Sequence, residues 1–251
     1  MAIETYNSNE VKGGPDHDSN KFDFAKIMAG TPLLIDKTDK TEHKSNASGA
    51  LDFSDKSLFL CADKKDDKPK DPNEDKFAKA GYKSFLEGDY KEAEKQYKSL
   101  LEVNQKNYGK ESKEVAFTYE LLGSACEKDK RYADAKAYYK QSAEVTSKVS
   151  GKDHYDTGLQ LHNVAQMDHQ LKNWKEAAAG YKSAVAILAS EKNDPSGDNA
   201  RMNEATKALK SYAEVLKELG DKKSAADQLE RAAEIEKNYL KRPQPNVIYF
   251  Y

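Results

Sequence analysis

The sequence predicts an all-α protein in which four helical hairpins follow a long, mostly disordered N-terminal region. Three observations carry that expectation. Apolar residues recur at helical spacing from about Asp71 onward, and before it no periodicity is present. A pattern of small and aromatic residues then returns four times in register. Leu, Ile, Val and Phe are sparse while Ala, Tyr and Lys are plentiful, which suits helices that pack through small residues and aromatic plugs.

Residues 1–70 are rich in Gly, Ser, Asn, Asp and Lys and end in KKDDKPKDP, the composition of a solvated linker. Residues 1–75 hold 11 Lys against 16 Asp or Glu, a net of −5, and the rest of the chain carries +3. An acidic tail on a mildly basic body is expected. Two apolar islands interrupt it, at residues 22–35 (FDFAKIMAGTPLLI) and 51–62 (LDFSDKSLFLCA). They read either as incidental hydrophobes in loose chain or as short docking motifs for a partner or for the repeats.

In the first hairpin Phe77, Ala80, Gly81 and Ser84 line one helix face, and Tyr90, Ala93, Tyr97, Leu100 and Leu101 line the next. Glu87-Gly88-Asp89 joins them, because glycine accepts the left-handed conformation that ends a helix. The second helices align as GDYKEAEKQY from Gly88, KRYADAKAYY from Lys130, KNWKEAAAGY from Lys172 and GDKKSAADQL from Gly220. The first three begin 42 residues apart and the last 48. Ala93, Ala135, Ala177 and Ala225 hold one position; Tyr97, Tyr139, Tyr181 and Leu229 hold another. On the first helices Gly81, Gly123, Ala165 and Ala213 lie twelve residues before those alanines, each after a large residue: Phe77, Tyr119, Leu161 or Leu209. Gly or Ala at that place lets two helix axes approach closely, and the aromatic is expected to fill the space between successive hairpins.

This pattern resembles the tetratricopeptide repeat family, and the 42-residue period, longer than the usual ~34, resembles its kinesin-light-chain type. The connectors YGKESKEVA from Tyr108 and SGKDHYDTG from Ser150 are similar to that subfamily's loops. The resemblance implies a right-handed superhelix of stacked hairpins with a concave groove. The array is expected over 71–241, in repeats of about 74–112, 113–154, 155–198 and 199–241. In the fourth repeat SEKNDPSGDN inserts six residues and Lys222 replaces the aromatic seen in the other three. Residues 242–251 are expected to form an apolar C-terminal tail, whose last five residues read as a cap on the last repeat, a partner-binding segment or disordered chain.

Catalytic chemistry is not expected. No glycine-rich phosphate loop, nucleophile setting or ligand spacing occurs. His162 and His169 are seven residues apart on one predicted helix, about 10 Å, too far to share a metal. Cys126 falls on the crossing face of its helix, a core position; with Cys61 in the tail, two free thiols in a reducing compartment are expected. No catalytic residue, metal or cofactor is assigned. The lysines of residues 64–70 are interleaved with aspartates, and no basic–aromatic platform exists, so neither nucleic acid nor membrane is an expected partner. No signal peptide and no membrane span is visible, and a cytoplasmic location follows as the expectation.

The expected function is a non-catalytic scaffold or adaptor that binds a protein or peptide, its identity unknown, in the concave groove. The runner-up is self-association through the C-terminal tail or the edge of the last repeat. Family resemblance implies a groove lined by first-helix residues that face away from the second helix: Lys79, Tyr82, Glu120, Leu121, Ser124, Lys128, His162, Asn163, Gln166, His169, Lys210, Ser211, Glu214 and Lys217. Asn163, in LHNVA, matches an asparagine whose amide can hold a peptide backbone. Residues 51–63 are a candidate internal ligand for the same groove.

Overall fold

Every hairpin closes with one backbone device, and the device sets where the helices start and stop. The computed structural model describes residues 71–241, which form eight α-helices and a short 3₁₀ turn. They are α1 (Pro72–Leu86), α2 (Tyr90–Tyr108), α3 (Lys113–Lys128), α4 (Tyr132–Val149), α5 (Tyr155–Gln170), α6 (Trp174–Leu188), α7 (Asn199–Glu218) and α8 (Lys222–Lys241). At each hairpin turn one residue is left-handed: Gly88 (φ 81°), Lys130 (φ 60°), Lys172 (φ 59°) and Gly220 (φ 83°). The amide after it reaches back to the helix, Asp89 to Ser84, Arg131 to Cys126, Asn173 to Asp168 and Asp221 to Leu216, at 2.8–2.9 Å. This is a Schellman closure that satisfies carbonyls otherwise orphaned at a helix end. Lysine, which the sequence does not mark as a turn former, therefore does at two joins what glycine does at the others.

Asp89 and Asp221 begin the next helix by accepting from the amides of Glu92 and Ser224. Ser112 and Asp198 do the same for α3 and α7 with Val115 and Arg201. Arg131 and Asn173 give no side-chain cap to α4 and α6.

Within each hairpin the two helices cross on small residues. A Cβ on Gly123 would stand 2.8 Å from the ring of Tyr139, and Gly81 faces Tyr97 more closely still. In the third hairpin the economy is inverted: Ala165 occupies the glycine position, and Gly180 on α6 yields the room, its notional Cβ 2.8 Å from that of Ala165. The tyrosines also reach the following hairpin. Tyr139 packs with Cys126, Ala135 and Met167, and Tyr181 with Ala165, Ala177 and Val215. One ring thus seals its own hairpin and the joint to the next.

The insertion before α7 is held by Asn193, which is buried. Its Nδ2 donates to the carbonyls of Ile187 (2.9 Å) and Asp153 (3.1 Å), and its own carbonyl accepts from Arg201 Nη1 at 2.8 Å. The Arg201 guanidinium lies 5.3 Å from the Tyr155 ring centre. The added residues therefore tie the third hairpin to the fourth, where α7 and α8 share a core with α6 through Ala184, Val185, Leu188, Ala205, Ala208, Leu209 and Ala232. The N-terminal region 1–70 with its islands, Cys61, and the tail 242–251 lie outside the described residues.

Candidate functional site: the face of the first helices

The first helices lie side by side, and their inward-pointing residues meet. Gln160 on α5 donates its Nε2 to the Glu120 carboxylate on α3 at 2.8 Å. Helices α5 and α7 touch directly, and the imidazole of His162 on α5 lies within the fields of Glu204 and Lys207 on α7. Helices α3, α5 and α7 consequently form one continuous face on the side away from α4, α6 and α8.

Burial sets the electrostatics of that face. Glu120 is pushed up to about 7, first by loss of water and then by the charges of Asp156 and Glu204, while the Gln160 hydrogen bond works the other way. His162 is pushed down to about 4 by burial; Lys207 acts in the same direction and Glu204 against it. At neutral pH the imidazole is uncharged, and Glu120 is shared between its two protonation states.

Tyrosine rings from the second helices pass beneath this face. Tyr139 donates its hydroxyl to Glu127 at 2.8 Å. Tyr181 has the rings of His162 and His169 beside it, at 5.6 and 6.3 Å between centres. The Tyr181 hydroxyl has no hydrogen-bond partner; Ser211 is beside it but outside hydrogen-bonding geometry. Gln166, between the two histidines on their helix stripe, has an Oε1 that is likewise unpartnered.

Of the residues expected to line the groove, Lys79, Glu214 and Lys217 are exposed, and Tyr82, Glu120, Lys128, Asn163, His169 and Ser211 are half-exposed. Four others are buried: Leu121 (7% exposed), Ser124 (2%), His162 (4%) and Gln166 (8%), with Ser124 beside Tyr139 and His162 against the ring of Tyr181. Lys210 is exposed but donates to Glu236 on α8 at 2.7 Å, so it is engaged with the second helix of its own hairpin. His162, buried, and His169, half-exposed, are two turns apart on α5 and flank one tyrosine ring, that of Tyr181.

Sequence reasoning missed Gln160, whose side chain joins α3 to α5 and also accepts weakly from Asn163 at 3.5 Å. Its register positions in the neighbouring repeats hold Thr118 and Ala208, both buried. A long amide in a slot kept by small residues is the signal that marked it. Lys136 on α4, paired with buried Asp168 on α5, escaped for the same reason: the partners are 32 residues apart and share no motif. Cys126 is a free thiol, fully buried, its pKa raised to about 12 by loss of water. Among the described residues no group of three or more His, Cys, Asp or Glu is placed to hold a metal, and no helix is long and apolar enough to cross a membrane.

Paired helices closed by a common turn, repeated in register and stacked edge to edge, define a helical-repeat protein. Two overlapping stretches, residues 84–145 and 114–190, match the family model of the tetratricopeptide repeat, so the repeats within 84–190 are of that type. Its fold is similar to that of BtubC (BKLC) from P. vanneervenii, with a TM-score of 0.59 at 18% identity over 78% of this chain and 75% of that one. Nearly identical TPR-like repeats of a kinesin light chain candidate from Podosopora anserina align with a TM-score of 0.43 at 14% identity, over 69% of this chain and all of theirs. No curated protein matches the sequence. Tetratricopeptide arrays are in general scaffolds for protein–protein interaction.

Proposed function

We propose that the chain is a non-catalytic, cytoplasmic adaptor that holds a peptide segment of a partner protein along the face built by α3, α5 and α7. The observation that carries this reading is the continuity of that face. Gln160 bridges to Glu120, α7 abuts α5, and Lys128, Asn163, His169, Glu214 and Lys217 keep polar groups open to solvent along it. An extended peptide needs such a row of donors and acceptors at successive heights, because each of its own amides must be satisfied once water leaves. Asn163 supplies both kinds of group, and His169 stacks edge-on to Trp174 at 5.5 Å, which gives an aromatic shoulder beside it. Charges of both signs occur, so recognition rests on local hydrogen bonds rather than on a strong overall field.

The test uses a peptide selected against the full chain from a random displayed library. Its affinity is measured for the native chain and for the pair Lys128→Glu with Asn163→Ala, with helicity followed by circular dichroism. A loss of about tenfold or more, near 1.4 kcal/mol, at unchanged helicity supports the adaptor reading. Equal affinity for both proteins contradicts it.

A further inference from the structure

On the adaptor reading of the inner face, we propose that the joint between α5 and α7 takes a lysine side chain of the partner, its ammonium held by Gln166 Oε1, the Tyr181 hydroxyl and the Glu214 carboxylate. The neighbouring repeat shows what this joint lacks. In the second hairpin the Tyr139 hydroxyl donates to Glu127 at 2.8 Å, with Ser124 beside it. At a distance of 42 residues the same three positions hold Tyr181, His169 and Gln166. His169 does not take the part of Glu127. Its ring meets the Tyr181 ring nearly at right angles, 6.3 Å between centres, and packs on Trp174 at 5.5 Å. The Tyr181 hydroxyl is left without a hydrogen-bond partner, and so is Gln166 Oε1, although Tyr181 is 0% and Gln166 8% exposed. Buried polar atoms are costly when unmade. Tyr97 also has an unpartnered hydroxyl, but Phe85 and Tyr82 stand at the matching positions and neither brings an unpartnered acceptor.

The open atoms call for a donor. A glutamine Oε1 only accepts, and a phenolic oxygen accepts through its lone pairs while its proton turns toward Ser211 alongside. The charged groups acting on the Tyr181 hydroxyl are Glu214 on α7 and Glu127 on α3, both acidic. A carboxylate or phosphate would meet like charge and an oxygen with no proton to give. An ammonium brings positive charge and three donors, one each for Gln166, Tyr181 and the exposed Glu214. A guanidinium has five donors in a rigid plane, and two would go unmet in so small a slot. The rings of His162 and His169 on either side give the lysine methylenes apolar walls. Gln166 reaches the surface and turns about flexible bonds, so its amide swings aside to admit the ammonium to the hydroxyl beneath.

Peptides selected against the full native chain from a random displayed library are the probe. They are expected to carry lysine at one fixed position, and exchanging it for norleucine should weaken binding about tenfold or more. Tyr181→Phe combined with Gln166→Leu, at matched helicity, should weaken the lysine peptide as much, and norleucine should then cost nothing further. Tyr181→Phe alone, which deletes one oxygen, should give part of that loss. Peptides that need Lys128 and Asn163 but no lysine of their own, or a lysine felt equally by native and variant chains, would overturn the lysine site and leave the adaptor reading standing. Peptides indifferent to all four residues, or no peptides at all, would overturn both. Unfolding gives a reading free of ligand. Tyr181→Phe is expected to leave the denaturation midpoint unchanged or raised, whereas Tyr139→Phe lowers it by stranding Glu127. A lowered midpoint for Tyr181→Phe would show that its hydroxyl has an internal partner, and would overturn the proposal.

Discussion

Two ionisable residues of the inner face, His162 buried and Glu120 half-buried, pull stability in opposite directions. Glu120 is held up near 7 from an ordinary 4.5, so the native state keeps a proton that the unfolded chain has released; stability falls as pH rises from about 4.5 to about 7. His162 is held down near 4 from an ordinary 6.5, so the native state refuses a proton that the unfolded chain takes; stability falls as pH drops from about 6.5 to about 4. Across pH 4.5–6.5 the two slopes oppose and the native chain should be nearly flat. Denaturant titration of Glu120→Gln should reveal stability rising with pH through that window. His162→Gln should reveal it falling up to pH 7. Each difference should be about 1–3 kcal/mol, the lower end for Glu120, which is only half-buried. Parallel curves for the three proteins would refute the assignment. At the turns, Lys130 and Lys172 hold a conformation that costs an L-residue about 1–2 kcal/mol. Lys172→Gly should therefore stabilise the chain by about 0.5–1 kcal/mol, the added freedom of unfolded glycine offsetting part of the relief; a fall in the denaturation midpoint would contradict this.

Helix placement was largely legible because hairpins advertise themselves locally. Gly88 and Gly220 mark their joins, and the Ala–Tyr pair four residues apart marks the second helices, so the frame could be carried to Lys130 and Lys172 by alignment alone. The crossing contact was legible in type and not in detail. Sequence shows that residue 123 is small; the structure shows that it faces the ring of Tyr139, whose hydroxyl is fixed by Glu127 and cannot swing aside. Gly123→Ala should accordingly cost about 1–3 kcal/mol in thermal or denaturant unfolding, and a change below ~0.5 kcal/mol would mean that the two helices can part freely. Ala165 with Gly180 shows why single positions mislead: the space is shared across two helices, and either may give it up.

For the array as a whole, the face of the first helices could be named in advance but its depth could not. Ser124, His162 and Gln166 are buried, Ser124 beside Tyr139 and His162 against Tyr181, while charged groups of α7 also act on His162. The spacing of the first helices depends on contacts such as Gln160 with Glu120, 40 residues apart, and on tyrosines that bridge successive hairpins. No local pattern encodes it. Along that face Asn163 lies mid-way on α5, and Lys128 and Lys217 stand near the C-terminal ends of the neighbouring first helices, level in register with His169 and Gln170. The claim that this face is where a partner docks is tested most directly by amide exchange of the full chain with and without a saturating library-selected peptide. The adaptor account predicts added protection concentrated in α3, α5 and α7, with α4 and α6 little changed. Protection confined to α8, or to the second helices while the first are unaffected, would contradict it.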